Sequence, residues 1–318
     1  TSERNSIVDL ILNEMTLRDR KFIEPKPLNE NNNKIKTIHT QGQSEPMLLG
    51  KNSNETIYEE LGIIYQQSDT RALIKIQDGC NEFCTYCAIP LARGRTRSRS
   101  RPNIIKEAKK LVENGHKEIV LTGIHICSFE RESGRDSDAL AELCLELNSV
   151  AGLSRIRLGS LEPLSITQSF LEILHQADKV CPHFHLSLQS GSDSVLKRMH
   201  RKYNAKQYWA RIQLLREIYQ DPAITTDIMV GFPGETDREF EQSLAFVKNT
   251  NFSRIHVFPY SLRPDTSAAK MKQVPQDIVK HRVQHMLKAG ELLAAKYAEK
   301  FRNSKVEVLL EDESESFI

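Results

Sequence analysis

From residue 71 onward the sequence alternates strictly between short β-rich runs and longer amphipathic stretches. That alternation restricts the fold more than any other feature of the chain. Strands are expected at 73–77, 118–122, 155–158, 184–188, 225–230 and 254–258, and helices beginning near Pro102, Asp138, Ser165, Ala205 and Asp237. Pro102 suits a first helical turn, where its missing N–H costs nothing, and Gly115 suits the stop that follows. Strands separated by helices pair in parallel through right-handed crossovers. A closed eight-stranded barrel would need two further βα units, for which the residues are absent. The expected fold is therefore α/β, a partial (β/α)6 open barrel of the TIM type, with a doubly wound open sheet as the alternative. Both gather ligands at the C-terminal ends of the strands.

The flanks read differently. A long helix is expected over 276–302, then a strand over 305–310 before the acidic tail EDESESFI. A lone strand is not stable, so it joins the main sheet or opens another domain. Residues 2–16 read as a short helix, with Ser2 as N-cap and Ile7, Leu10, Ile11 and Met15 at helical spacing. Residues 22–56 are polar, rich in Asn, Gln and Pro, and read as a loop or linker, an ordered excursion over the main domain being the alternative. The 44 Lys+Arg against 42 Asp+Glu leave a net charge of +2. This excludes a uniformly basic nucleic-acid coat but allows a local basic patch. No apolar run approaches the roughly 18 residues that span a bilayer, and TSERNSIVDL is not a signal peptide. A cytoplasmic location without membrane contact is expected. In that reducing compartment six cysteines read as metal ligands or core residues.

Three of them cluster after the first strand in GCNEFCTYCAIP: Cys80, Cys84 and Cys87, spaced C-x3-C-x2-C. A zinc knuckle wants four ligands and paired C-x2-C units, so a fourth would have to come from His125 or Cys127. A cubane iron–sulfur cluster suits three thiolates better, because the fourth iron keeps an open position for a small molecule. Cys144 falls in a helical apolar pattern and reads as core, and Cys181, before the fourth strand on the rim far from the site, reads as structural. His183 and His185, flanking Phe184, read as packed or rim histidines.

The C-x3-C-x2-C spacing with Tyr86 before the third cysteine resembles the signature of the radical S-adenosylmethionine (SAM) superfamily. The resemblance covers about residues 71–269. It implies that the open iron chelates SAM and that one electron cleaves the sulfonium to a 5′-deoxyadenosyl radical. Further stretches, IQDGCNEFCTYCAIPLARGRTRSR, LTGIH, RIRLGSLEP, HFHLSLQSGSD, TDIMVGFPGET and HVFPYS, are similar to the methylthiotransferases. Their wording is nearest the branch acting on N6-threonylcarbamoyladenosine beside the tRNA anticodon. The isopentenyladenosine and ribosomal-protein branches are the alternatives, and a zinc-stapled RNA-binding module is the non-enzymatic one. The resemblance implies a transferase of tRNA modification using one [4Fe-4S] cluster, SAM, tRNA and an electron donor such as flavodoxin or ferredoxin. SAM contacts are expected from Tyr86, Thr122, Gly123, Ser160, Glu162, Ser187, Gln189, Asp227 and Gly231, most of them at strand ends.

Arg93, Arg95, Arg97, Arg99 and Arg101 alternate through ARGRTRSRSR directly after the cysteines. Guanidinium groups suit phosphate and carboxylate recognition. The first four are candidates for RNA contact, a solvated basic loop being the plain alternative. Methylthiotransferases also carry a second cluster in an N-terminal domain and end in a small RNA-binding β-barrel. No cysteine precedes Cys80 here. The expected organisation is a remnant of the N-terminal domain plus linker (1–65), the radical SAM core (66–303) and the start of an incomplete barrel (304–318). A truncated form is expected from the Thr start and acidic end, a natural loss of the sulfur-inserting half being the alternative.

Overall fold

The computed structural model describes residues 58, 60 and 71–309, all within the unit Glu55–Ile318. The helix expected at 2–16 and the polar stretch 22–56 lie outside the described residues. Strands β1 (Arg71–Asp78), β2 (Arg97–Ser98), β3 (Glu118–Gly123) and β4 (Arg155–Leu158) form one sheet in the order β2-β1-β3-β4. Strands β5 (His183–His185), β6 (Ala223–Val230) and β7 (Arg254–Pro259) form another in the order β5-β6-β7. Single parallel bridges, Ile156 to Val180 and Leu161 to Leu186, link the segments just before and after β5 to β4 and the residues that follow it. Apart from β2, every pairing is parallel. The spatial order β1-β3-β4-β5-β6-β7 thus follows the chain, as in a partial (β/α)6 barrel. A doubly wound sheet would reverse direction beside its first strand.

Alternate strand residues, Ala72, Ile74 and Ile76 on β1 and Ile224, Thr226 and Ile228 on β6, are buried beneath the helices. The helices meet them with Ile104, Ala108 and Leu111 of α2 (Arg101–Glu113), Leu140, Leu143 and Leu147 of α3 (Asp138–Asn148), and Tyr208, Ile212 and Leu215 of α6 (Ala205–Ile218). Each such side chain contributes about 2 kcal/mol by leaving water. The opposite face of the strands carries Lys75, Thr122, Arg157, His185, Asp227 and His256, and none of these is fully buried.

The remaining helices are α1 (Ile89–Arg93), α4 (Gln168–Leu174), α5 (Asp193–Arg198), α7 (Asp237–Thr250) and α8 (Gln276–Glu299). The short elements α1, α5 and β2 have no counterpart in the sequence reading. The helix expected near Ser165 begins at Gln168, because Pro163–Ser165 form a 3-10 turn and Thr167 accepts from the Phe170 amide as N-cap. The expected strand at 305–310 does not form among the described residues 305–309. Val306 and Val308 are exposed there, and Glu307 instead meets Arg155, its carbonyl and carboxylate accepting from Nη2 at 3.1 and 3.0 Å.

Candidate active site

The cysteine loop leaves the C-terminal end of β1 through Gly79, whose φ is +70°. A Cβ there would stand 1.9 Å from the Arg95 carbonyl oxygen, so only glycine lets the returning chain pass. The Cys80 amide donates to the Gly94 carbonyl at 3.1 Å. Gln77, fully buried, pins this crossing. Its Nε2 lies 2.7 Å from the carbonyls of Asp78 and Gly79 and 2.9 Å from Thr96 Oγ1, and its Oε1 accepts from the His125 amide at 2.8 Å. Further along, the Thr85 amide donates to the Met199 carbonyl and its hydroxyl to the Arg198 carbonyl.

Cys80, Cys84 and Cys87 are free and half-buried on this loop. Burial pushes the Cys80 thiol up to about 11 and raises Cys87 as well. Ionising such neighbours carries a cost that a bound metal centre offsets. Among the described residues, the ligand trio whose atoms all lie within 4.8 Å of one another is His185, Asp227 and His256. Three thiols on one loop suit a multi-iron cluster, whose fourth iron stays open, better than a structural zinc ion, which takes four ligands.

Arg201 faces the loop across the rim. It is buried, donates from Nη1 to Cys84 Sγ at 3.4 Å and from Nη2 to Glu162 Oε2 at 2.7 Å, and meets the Tyr203 hydroxyl through Nε at 3.0 Å. Burial raises the Glu162 carboxyl even against the pull of Arg201. His125 Nε2 stands 4.0 Å from Glu162 Oε2. Both ring nitrogens of His125 are buried without a hydrogen-bond partner, and burial lowers its pKa. Arg201, Tyr203 and Gln77 were not legible in the sequence, since Cys84, Glu162, Ser187, Thr96 and His125, which they also meet, lie farther along the chain.

The residues expected to touch SAM fall into distinct places. Tyr86 and Gln189 line one cavity of about 390 Å³ with Cys87, Met229, Phe258 and Tyr260. Tyr86 meets Phe232 edge-on. Gln189 has φ +67°, and its buried Oε1 has no partner, leaving an acceptor that a ligand N–H would satisfy. Thr122 and Gly123 end β3, where a Cβ on Gly123 would stand 2.9 Å from the Gln77 carbonyl. Ser160 is exposed, and Ser187 is half-buried beside Glu162 and Arg201. Gly231 instead receives α8: a Cβ there would meet Val279 at 2.5 Å. Asp227 stands between His185 and His256. Cys127 is buried, accepts from the Glu162 amide at 3.3 Å and has its thiol pushed up to about 11. Cys144 is sealed in the core.

The arginine stretch needs a correction. Arg97 and Arg99 are buried, so they are committed to the fold and not free to meet RNA. Arg97 Nη2 pairs with Asp78 at 3.1 Å, and Arg99 pairs with Glu60 and Glu107. Arg101 pairs with Glu130 and Glu146. Arg93 is half-buried, and Arg95 is exposed over the ring of exposed Phe83, 5.2 Å from its centroid. The sequence pattern could not separate these, because the acidic partners Asp78, Glu60 and Glu107 lie outside the arginine run.

The chain is similar to several tRNA-modifying enzymes. It is 44% identical over 258 residues to the threonylcarbamoyladenosine tRNA methylthiotransferase of Bacillus subtilis, covering 80% of this chain and 57% of that protein. The enzyme of that name from Thermotoga maritima is 40% identical over 258 residues, covering 80% and 58%. A tRNA-2-methylthio-N(6)-dimethylallyladenosine synthase of Desulforamulus reducens is 34% identical over 279 residues, covering 88% and 61%. The chain thus spans somewhat over half the length of these relatives. In fold it is similar to a radical SAM methyltransferase of Kitasatospora setae solved with cobalamin and a [4Fe-4S] cluster, at TM-score 0.53 and 17% identity, covering 62% of this chain and 38% of that one. Among the described residues no helix is long and apolar enough to cross a membrane. The family model of the radical SAM superfamily matches residues 74–247, the span that holds the cysteine loop, Glu162 and Arg201. With the sequential parallel strands and the three-thiol loop at their C-terminal rim, that match places the chain in the radical SAM superfamily.

Proposed function

We propose that this chain is the SAM-cleaving core of a tRNA methylthiotransferase that converts N6-threonylcarbamoyladenosine beside the anticodon to its 2-methylthio derivative. The observation that carries this reading is the 44% and 40% identity to enzymes named for that nucleoside, against 34% to 38% to several named for the dimethylallyl nucleoside. Cys80, Cys84 and Cys87 hold a [4Fe-4S] cluster, which when bound with SAM supplies the electron for sulfonium cleavage. The chain's own residues shape that chemistry. Arg201 donates to Cys84 Sγ and to Glu162, opposing the rise that burial imposes on the Glu162 carboxyl. Tyr86, Met229 and Phe258 wall the adjoining cavity with apolar surface. Gln189 offers an acceptor, and Thr122, Gly123, Ser160 and Ser187 add polar groups at the strand ends. Arg95, with Arg93 behind it, faces the tRNA backbone. The cofactor set, a second cluster and an RNA-binding barrel in the full-length enzyme, a flavodoxin or ferredoxin donor, and a cytoplasmic location belong to the same proposal. So does the division into 1–65, 66–303 and 304–318.

Mass spectrometry of tRNA nucleosides from cells with and without the gene tests it. Loss of 2-methylthio-N6-threonylcarbamoyladenosine alone is the expected result. Loss of the dimethylallyl derivative instead, or unaltered nucleosides, would overturn the reading.

A further inference from the structure

A second group of ligand-type side chains lies away from the cysteines, on the open face of the second sheet. His185, Asp227 and His256 come from three neighbouring strands, with Asp227 and His256 on the same rung. Asp227 Oδ2 is 3.2 Å from His185 Nε2, and Asp227 Oδ1 is 3.5 Å from His256 Nδ1. One ligand atom from each lies within 4.8 Å of the other two. On the other side of the ring, His185 Nδ1 is 3.0 Å from Thr225 Oγ1. An Nδ1–H given to that hydroxyl turns the Nε2 lone pair toward the carboxylate. In the other tautomer Nε2–H would donate to Asp227, so the form that gives Nδ1–H to Thr225 is the one a bound cation would select. This is the arrangement of a metal-ligating histidine, whose second nitrogen is fixed by an outer hydrogen bond.

We infer that His185, Asp227 and His256 bind one divalent first-row metal ion, at a locus separate from the cysteine loop. Two imidazoles and one carboxylate form a borderline nitrogen–oxygen donor set suited to Zn²⁺, Fe²⁺ or Co²⁺. Three protein ligands leave coordination positions open for an outside oxygen or nitrogen. The trio is reached from the open face, His256 being 54% exposed and His185 12%. Two residues along the same strands, Met229 and Phe258 line the cavity beside Tyr86. A ligand seated in that cavity would extend toward the ion. The inference rests on this geometry alone and stands whichever nucleoside the enzyme modifies.

Cobalt titration of the 318-residue chain tests it. Thiolate-bound Co²⁺ shows an intense charge-transfer band, whereas a histidine–carboxylate site shows only weak visible bands. The expected result is one equivalent of the second kind, retained in a C80A/C84A/C87A chain whose circular dichroism matches the parent. His256→Ala or Asp227→Asn should weaken that equivalent by roughly tenfold or more, and Thr225→Val by about tenfold. Should the triple variant fold poorly, H256A in the parent, with matching circular dichroism, should bind one equivalent of cobalt fewer than the parent. Zinc should raise the melting temperature of the parent more than that of H256A. A chain without the weak visible bands, or H256A and D227N variants that bind cobalt like the parent, would overturn the site.

Discussion

Arg201 is the electrostatic hinge of the rim, because one buried guanidinium serves Cys84, Glu162 and Tyr203 together. Lysine has no planar fork and could not meet all three. Replacing Arg201 by leucine strands Glu162 as a buried, uncompensated carboxylate. Loss of one member of such a pair costs on the order of 3–5 kcal/mol. Urea denaturation of Arg201→Leu should show a loss of that size, most of it recovered in an R201L/E162Q double variant. A single-variant loss below about 1 kcal/mol would mean that the pair behaves as an exposed one. Local chemistry at this scale was legible only where it is local in sequence. The cysteines announce themselves by spacing within one loop. Arg201 reaches Cys84 across 117 positions, and no short motif encodes that.

Among elements, the junction of α5 and α7 binds the cluster loop to the rest of the barrel. Arg198 ends α5, its carbonyl receives the Thr85 hydroxyl, and its guanidinium grips both carboxylate oxygens of Glu239 at 2.7 and 2.9 Å. Glu239 also closes the capping box of α7 with Thr236. The Arg198 bond, followed by the Ser194 and Thr236 contacts, holds its carboxyl at about 2, below the ordinary 4.5. A depressed carboxylate contributes stability that is complete above pH 4.5 and is lost as pH falls toward 2. Glu239→Gln keeps the cap and removes the charge. Its stability deficit against the parent should therefore shrink between pH 5 and 2, as read by thermal melts; a deficit constant over that range would contradict the assignment. The long helices were predictable from period and caps. The two-residue β2 was not, because it exists only through its pairing with β1, and α5 has six residues, too few to show a helical period.

For the whole molecule, the strict alternation of strands and helices implied parallel pairing and favoured a partial barrel over a doubly wound sheet before any contact was known. It could not reveal which arginines the array would consume. Folding buries Arg97 and Arg99 and leaves Arg95 outside. Arg95→Glu should weaken tRNA binding and lower the slope of log affinity against log salt by about one phosphate contact or more. Arg99→Leu should destabilise the fold while leaving the slope of the folded fraction intact. An unchanged slope in R95E would remove the arginine from the RNA surface. The terminal stretch teaches the converse: VEVLL has strand-like alternation, but its described part finds no neighbouring strand to pair with.

The crossing at Gly79 joins two of these scales. With the Arg95 carbonyl packed where a side chain would be and Cys80 hung from Gly94, the first cysteine and the exposed arginine occupy facing legs of one clasp. Neither leg can be withdrawn without opening the other. A side chain placed at Gly79 would therefore displace Cys80 and Arg95 together.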